Sequence, residues 1–188
     1  MKILVVGGSG RIGFDISKHL SKNYEVFPTF YSHDISNLFI NAKKLDATNF
    51  NETQNLFNLI KPDIVIHSTA LSNVDLCETN HELADLVNVK TTENIIKASS
   101  SLKCKIIYFS TSFVFDGQKN VYAETDITSP STYYGYTKHL SEEMIKNYNS
   151  DWLILRTDQP YGWIEKWHKE NSVTRILSSF LKNEPVKD

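Results

Sequence analysis

Two cysteines in 188 residues, Cys77 and Cys104, are too few for a disulfide framework. Neither has a second cysteine or a histidine at metal-ligand spacing, so no metal centre is expected, and the usage suits reduced thiols of a cytoplasmic protein. Long apolar runs are also missing. The N-terminal stretch reaches only Val6 before meeting glycines, too short for a signal peptide, and nothing later approaches the roughly 18 apolar residues of a membrane span. Charge of one sign is not concentrated anywhere: 20 basic and 22 acidic residues are interspersed, for a net charge of -2. Nucleic acid and membrane surfaces are therefore not expected partners. There is no internal repeat, low-complexity tract or linker, and the length suits one domain with a sizeable core.

What is present is an alternation of short apolar runs with amphipathic ones. Ile3 to Val6 is an unbroken run, as in a parallel strand buried on both faces. It enters Gly7-Gly8-Ser9-Gly10-Arg11-Ile12-Gly13, after which Ile12, Ile16 and Leu20 recur at helical spacing. Further strands are expected at Tyr24 to Phe27, ending near Pro28, then up to Leu45, at Asp63 to His67, at Cys104 to Phe109, and at Trp152 to Leu155. Between them lie helical patterns: Leu56, Phe57, Leu59 and Ile60; Leu83 through Ile96; a helix capped by Ser131 or Thr132; and a last one over Val173 to Leu181 capped by Ser172. This predicts an α/β fold with a doubly wound parallel sheet of Rossmann type. Ligands in such sheets sit beyond the carboxyl ends of the strands. Trp163, Trp167 and His168 read as packing or lid-surface residues, and His67 as a strand end near the ligand.

The glycines fit Gly-x-Gly-x-x-Gly through Gly8, Gly10 and Gly13, and equally Gly-x-x-Gly-x-x-Gly through Gly7, Gly10 and Gly13. Either register, set between a buried strand and a helix, predicts a turn whose amides approach a pyrophosphate, with Gly7, Gly10, Arg11, Ile12 and Gly13 as cofactor contacts. At the end of the second strand, where a carboxylate would take the ribose diol of NAD, stands Phe30. Asp34 falls past the strand. With Arg11, Ser32 and His33 nearby, NADP(H) is favoured over NAD(H), although Arg11 also reads as a solvated helix residue. Asp46, after the third strand, suits either the adenine amino group or a turn. Ala70, after the fourth, borders the same crevice.

Ser131 to Lys138 reads Ser-Thr-Tyr-Tyr-Gly-Tyr-Thr-Lys. Tyr134 and Lys138 are at i, i+4 and share a helix face, whereas Tyr133 and Tyr136 do not share it with the lysine. An ammonium beside a phenol lowers the phenol's pKa towards a useful range. Alone, the pair also describes an ordinary surface helix.

The glycine turn, the hydroxyls after the fifth strand and Tyr-x-x-x-Lys together resemble the extended short-chain dehydrogenase/reductase family. Ser110 to Gly117, Glu124-Thr125-Asp126, Ser129-Pro130 and Tyr134 to Lys138, with Val74-Asp75, Glu78, Val87-Asn88, Arg156-Thr157 and Tyr161-Gly162, are similar to its dTDP-4-dehydrorhamnose reductase branch. The resemblance implies a catalytic set of Thr111, Tyr134 and Lys138, the last two also contacting the cofactor. It implies an NAD(P)-dependent oxidoreductase delivering hydride to the C4 ketone of a nucleotide-activated keto-deoxysugar. Ser112-Phe113 departs from the branch's Asp-Tyr, which bears on substrate identity. The resemblance also implies a C-terminal substrate part largely missing here, so that residues 1–188 read as one truncated dinucleotide-binding domain. A homodimer is left open. Two other readings stand beside it: a non-catalytic NADP-binding regulatory subunit resembling the methionine adenosyltransferase beta subunit, and an inactive remnant.

Overall fold

In the computed structural model, which describes residues 1–185, β1 (Lys2–Val6) occupies the middle of a sheet because it carries apolar side chains on both faces. Ile3 and Val5 pack with Ile16 and Leu20 of α1 (Arg11–Leu20). Leu4 and Val6 join Phe57 and Ile60 of α2 (Phe50–Ile60) and Ile95 of α5 (Thr91–Ser100) on the other face. The remaining strands are β2 (Glu25–Phe30), β3 (Lys43–Lys44), β4 (Ile64–His67), β5 (Lys105–Thr111) and β6 (Trp152–Thr157). All pairings are parallel and the order is β3-β2-β1-β4-β5-β6. The expected doubly wound Rossmann-type sheet is thus observed, and its connectivity reverses between β1 and β4, the place at which sheets of this kind bind ligands. No helix among the described residues is long and apolar enough to cross a membrane.

Between β4 and β5 run α3 (Val74–Thr79), α4 (His81–Ala84), a π-helical segment Asp85–Lys90, and α5. The single helix expected over Leu83 to Ile96 therefore contains a widened turn, which turns Asn88 into the interior. α6 (Tyr133–Lys146) is capped by the Thr132 hydroxyl, which accepts from Gly135 N. It packs Ile145 against Ile106 and Tyr108 of β5.

Several boundaries differ from the sequence reading. β2 passes through Pro28 to Phe30, because β3 pairs only with Thr29 and Phe30 and the earlier part of β2 is an open edge on that side, where a proline's missing donor is tolerated. β5 runs on to Thr111, and β6 to Thr157. Leu59 does not belong to the buried face of α2 and is 72% exposed. α7 (Ser172–Lys182) is capped by Asn171 rather than Ser172: Asn171 and Thr174 exchange hydrogen bonds in a capping box.

Candidate active site

The glycine turn gives Gly7 and Gly8, on which the two registers differ, separate steric roles. Gly7 has φ +88°, and a Cβ there would meet Thr69 Oγ1 at 2.7 Å. A Cβ on Gly13 would fall 2.3 Å from the Gly7 carbonyl oxygen and 2.7 Å from Ser68 Oγ, so α1 lies directly on the turn. Gly10 is exposed on its outer side, where a Cβ would meet only the Gly7 oxygen, at 3.2 Å. Gly8 serves a different purpose, its Cβ direction being blocked by Pro28 of β2. Spacing 7, 10 and 13 therefore supplies the tight turn, the open approach and the close helix packing. α1 begins without a side-chain cap and with no acid in its first turn, leaving its leading amides and the positive end of its dipole to an anion. This cradle fits the pyrophosphate of a dinucleotide.

Around it, Arg11 and Ile12 open α1 and are partly exposed. Ser32 is exposed just past β2, its hydroxyl 3.1 Å from His33 Nδ1. Asp34 caps its own turn, accepting from Ser36 N at 2.8 Å, and does not reach back to the strand end. Asp46 is at least half committed to a turn: its Oδ1 accepts from both Thr48 N and Thr48 Oγ1. Ala70 lies after β4, next to Leu71, whose backbone is gripped at both ends by the buried Asn88 side chain.

At the end of β5, Thr111 is buried. Its Oγ1 accepts from Phe113 N at 3.2 Å, so its own hydroxyl proton is free to donate elsewhere. The strand places Ser110 differently: its hydroxyl donates to Glu142 Oε1 at 2.6 Å. Tyr134, in the first turn of α6, has its ring 5.9 Å from that of Phe113, edge-on. Gly135 permits this approach, since a Cβ there would lie 2.1 Å from the Phe113 carbonyl oxygen. Burial pushes the Tyr134 phenol up, the Thr111 hydroxyl pulls it down, and Cys77 adds to the rise.

Lys138 corrects one expectation. The structure does not show it lowering the Tyr134 phenol, because Lys138 is itself 2% exposed and turned to β5. Its Nζ donates to the Phe109 carbonyl at 2.7 Å and lies 4.1 Å from the centre of the Tyr108 ring. Burial draws its pKa down to about 7, with Glu142 acting the other way. His67 is fully buried beside Tyr108, 3.0 Å from Thr92 Oγ1 through Nε2, and burial together with the Lys138 charge holds it neutral.

Sequence does not single out Glu142, and it names Asn88 and Arg156 only as part of the family resemblance, with no role; all three hold the site. Glu142 has no exposed surface, and Arg156 grips it through Nε at 2.9 Å and Nη2 at 2.6 Å. Asn88 donates to Thr137 of α6 at 2.9 Å while binding Leu71. For Glu142 the available signal was an acid in the middle of the amphipathic α6; its partner Arg156 stands on β6, fourteen residues on. Ser112, where the branch has an acid, donates instead to Asp158 at 2.8 Å, so the loop after β6 brings a carboxylate to that place. That same loop returns Trp167 and His168 to the glycine turn, both within 3.0 Å of the Ser9 carbonyl oxygen.

Comparison with known proteins matches residues 1–187 to the model of a family described as RmlD substrate binding domain. The chain is 31% identical over 168 residues to a dTDP-4-dehydrorhamnose reductase of Escherichia coli K12, covering 86% of this chain and 52% of that protein. It is equally 31% identical, over 177 residues, to methionine adenosyltransferase 2 subunit beta of Xenopus tropicalis, covering 94% of this chain and 52% of that one. Among solved structures, the dTDP-4-dehydrorhamnose reductase of Bacillus anthracis in complex with NADP superposes with a TM-score of 0.83 at 27% identity, covering 96% of this chain and 60% of that chain. The chain spans about half the length of the curated relatives it matches.

Proposed function

We propose that this chain, which belongs to the RmlD substrate binding domain family, carries the dinucleotide-binding and proton-donating residues of an NADPH-dependent reductase acting on the C4 ketone of a nucleotide-linked keto-deoxysugar. The observation that supports the reading is that Thr111, which ends β5, draws the Tyr134 phenol down against burial, at the same edge of the parallel sheet from which the glycine turn leaves β1. The bound nicotinamide would supply the hydride. Tyr134 gives its phenolic proton to the ketone oxygen as negative charge develops there. Thr111, with its Oγ1 lone pair held by Phe113 N, donates to the same oxygen and orients it. Lys138, beneath Tyr134 on the same helix face, would turn from the Phe109 carbonyl to the nicotinamide ribose.

NADPH is favoured over NADH because β2 ends on Phe30 rather than a carboxylate, with Ser32 and His33 just beyond it and Arg11 in the first turn of α1. A related reductase whose structure holds NADP supports this choice. The test is oxidation of NADPH, followed at 340 nm, when dTDP-4-dehydrorhamnose is added to the protein. No turnover with either reduced cofactor, by a protein that binds them, would remove the reductase reading.

A second reading has its own observation. The similarity to a methionine adenosyltransferase beta subunit is as high as that to the reductases, which supports a non-catalytic, dinucleotide-binding partner of a synthetase. NADP binding without turnover, together with co-purification of a synthetase, would favour it.

A further inference from the structure

The loop between β6 and α7 does something its sequence does not advertise. It leaves the sheet at Asp158, which accepts from Ser112 beside Thr111, and crosses to the opposite end of the crevice. There Trp167 Nε1 donates to the Ser9 carbonyl oxygen at 3.0 Å, and His168 Nε2 meets the same oxygen, also at 3.0 Å. Glu165 N donates to His168 Nδ1 at 3.1 Å. The Nδ1 lone pair is thus occupied, so it is Nε2 that bears the proton and donates to Ser9. Both rings stand edge-on to Phe14 of α1, with centroids 5.7 Å away, and the indole lies nearly parallel to His33 at 6.3 Å. The loop is closed on itself by Asn171, whose side chain donates to the Gly162 carbonyl at 2.8 Å.

Ser9 sits one residue before Gly10, and its carbonyl belongs to the peptide that leads into the uncapped start of α1. A carbonyl oxygen near an anion site is repulsive, and a free peptide plane in a glycine turn can rotate. Two N–H donors on one oxygen offset the first effect and, together with the hydrogen bond from Gly10 N of the same peptide to the Gly7 oxygen at 2.9 Å, hold the plane against the second.

We propose that Trp167 and His168 are positioning residues for the cofactor: by holding the Ser9 carbonyl they keep the amides at the start of α1 aimed at the dinucleotide's pyrophosphate. This rests on the dinucleotide reading above. The two residues touch the turn and act through it.

The experiment is calorimetric titration of NADP+ into the wild-type chain and into Trp167→Phe, His168→Ala, the pair Trp167→Phe/His168→Ala, and the pair Trp167→Phe/His168→Gln. Phenylalanine keeps the edge contact with Phe14 and removes only the donor; glutamine keeps a donor at position 168. The double variant without donors is expected to bind NADP+ at least about tenfold more weakly, and the glutamine version to recover part of the loss. Melting temperatures without cofactor should stay within about 2 °C of wild type. A double variant that binds as tightly as a binding-competent wild type overturns the proposal. So does a loss of affinity that glutamine does not relieve and that follows a falling melting temperature, for then the loop is only structural. A wild-type chain that binds no dinucleotide overturns the underlying reading, an outcome distinct from both.

Discussion

Replacing Lys138 by methionine should make the ligand-free protein more stable while weakening its hold on cofactor. The side chain is 2% exposed, with one hydrogen bond to the Phe109 carbonyl and a ring contact to Tyr108, and its pKa is drawn down to about 7 by burial. Bringing a lysine from its usual value near 10.4 to about 7 corresponds to roughly 5 kcal/mol against the folded state wherever the ammonium is charged in both states. Between those values the unfolded chain binds more protons than the folded one, so this cost is fully present below about pH 7 and fades as pH rises towards about 10. Methionine fills similar space without a charge. The expected result is a urea midpoint for Lys138→Met above wild type at pH 6.5, with the two curves converging as pH rises. For a chain of this size each kcal/mol is worth about 2–4 °C in melting temperature, so several degrees should be seen even if repacking consumes part of the gain. A methionine variant less stable than wild type at pH 6.5, or a difference independent of pH, would refute the reasoning: the Phe109 and Tyr108 contacts would then outweigh desolvation. A residue that costs stability where it stands is one that function retains.

Other substitutions separate the parts of the site. Tyr134→Phe should lower reductase turnover by at least about a hundredfold while NADP+ affinity, read by calorimetry, stays near wild type. Arg156→Met leaves the fully buried Glu142 without its guanidinium and should destabilise the fold by about 3–5 kcal/mol. In wild type the paired Glu142 carboxyl is held below its usual range, chiefly by the Arg156 and Ser110 hydrogen bonds against burial, and contributes stability above the unfolded value that is lost as pH falls. In the variant burial is opposed only by the Ser110 hydrogen bond and Lys146, so the carboxyl lies higher than in wild type and the deficit, measured by urea unfolding, should widen from pH 5 to pH 8. Gly13→Ala forces a Cβ to 2.3 Å from the Gly7 oxygen and should cost about 1–3 kcal/mol. Gly10→Ala, whose Cβ would meet only the Gly7 oxygen at 3.2 Å, should cost less stability than Gly13→Ala and abolish tight NADP+ binding, which calorimetry and thermal melting together would show.

The sequence by itself determined the fold class and the positions of chemistry that depend on local spacing. An unbroken Ile-Leu-Val-Val run ahead of glycines specifies a buried strand and a turn, because both follow from side chains within a few residues of one another. Tyr134 and Lys138 share a face for the same reason. Only the tertiary structure decided how those groups are used. It distinguished the roles of Gly7 and Gly8, since the atoms that a Cβ on Gly7 would strike belong to Ser68 and Thr69 after β4, and those that one on Gly8 would strike belong to Pro28 and Thr29 of β2. It turned Lys138 from the phenol to the Phe109 carbonyl, because the depth of α6 against β5 is set by packing of Ile145, Ile106 and Tyr108. It paired Glu142 with Arg156, and it returned Trp167 and His168 to an oxygen more than 150 residues earlier. Periodicity carries no information about partners at such separations. They are chosen when strands align and loops cross the crevice, and in this protein that choice supports the glycine turn and the catalytic helix alike.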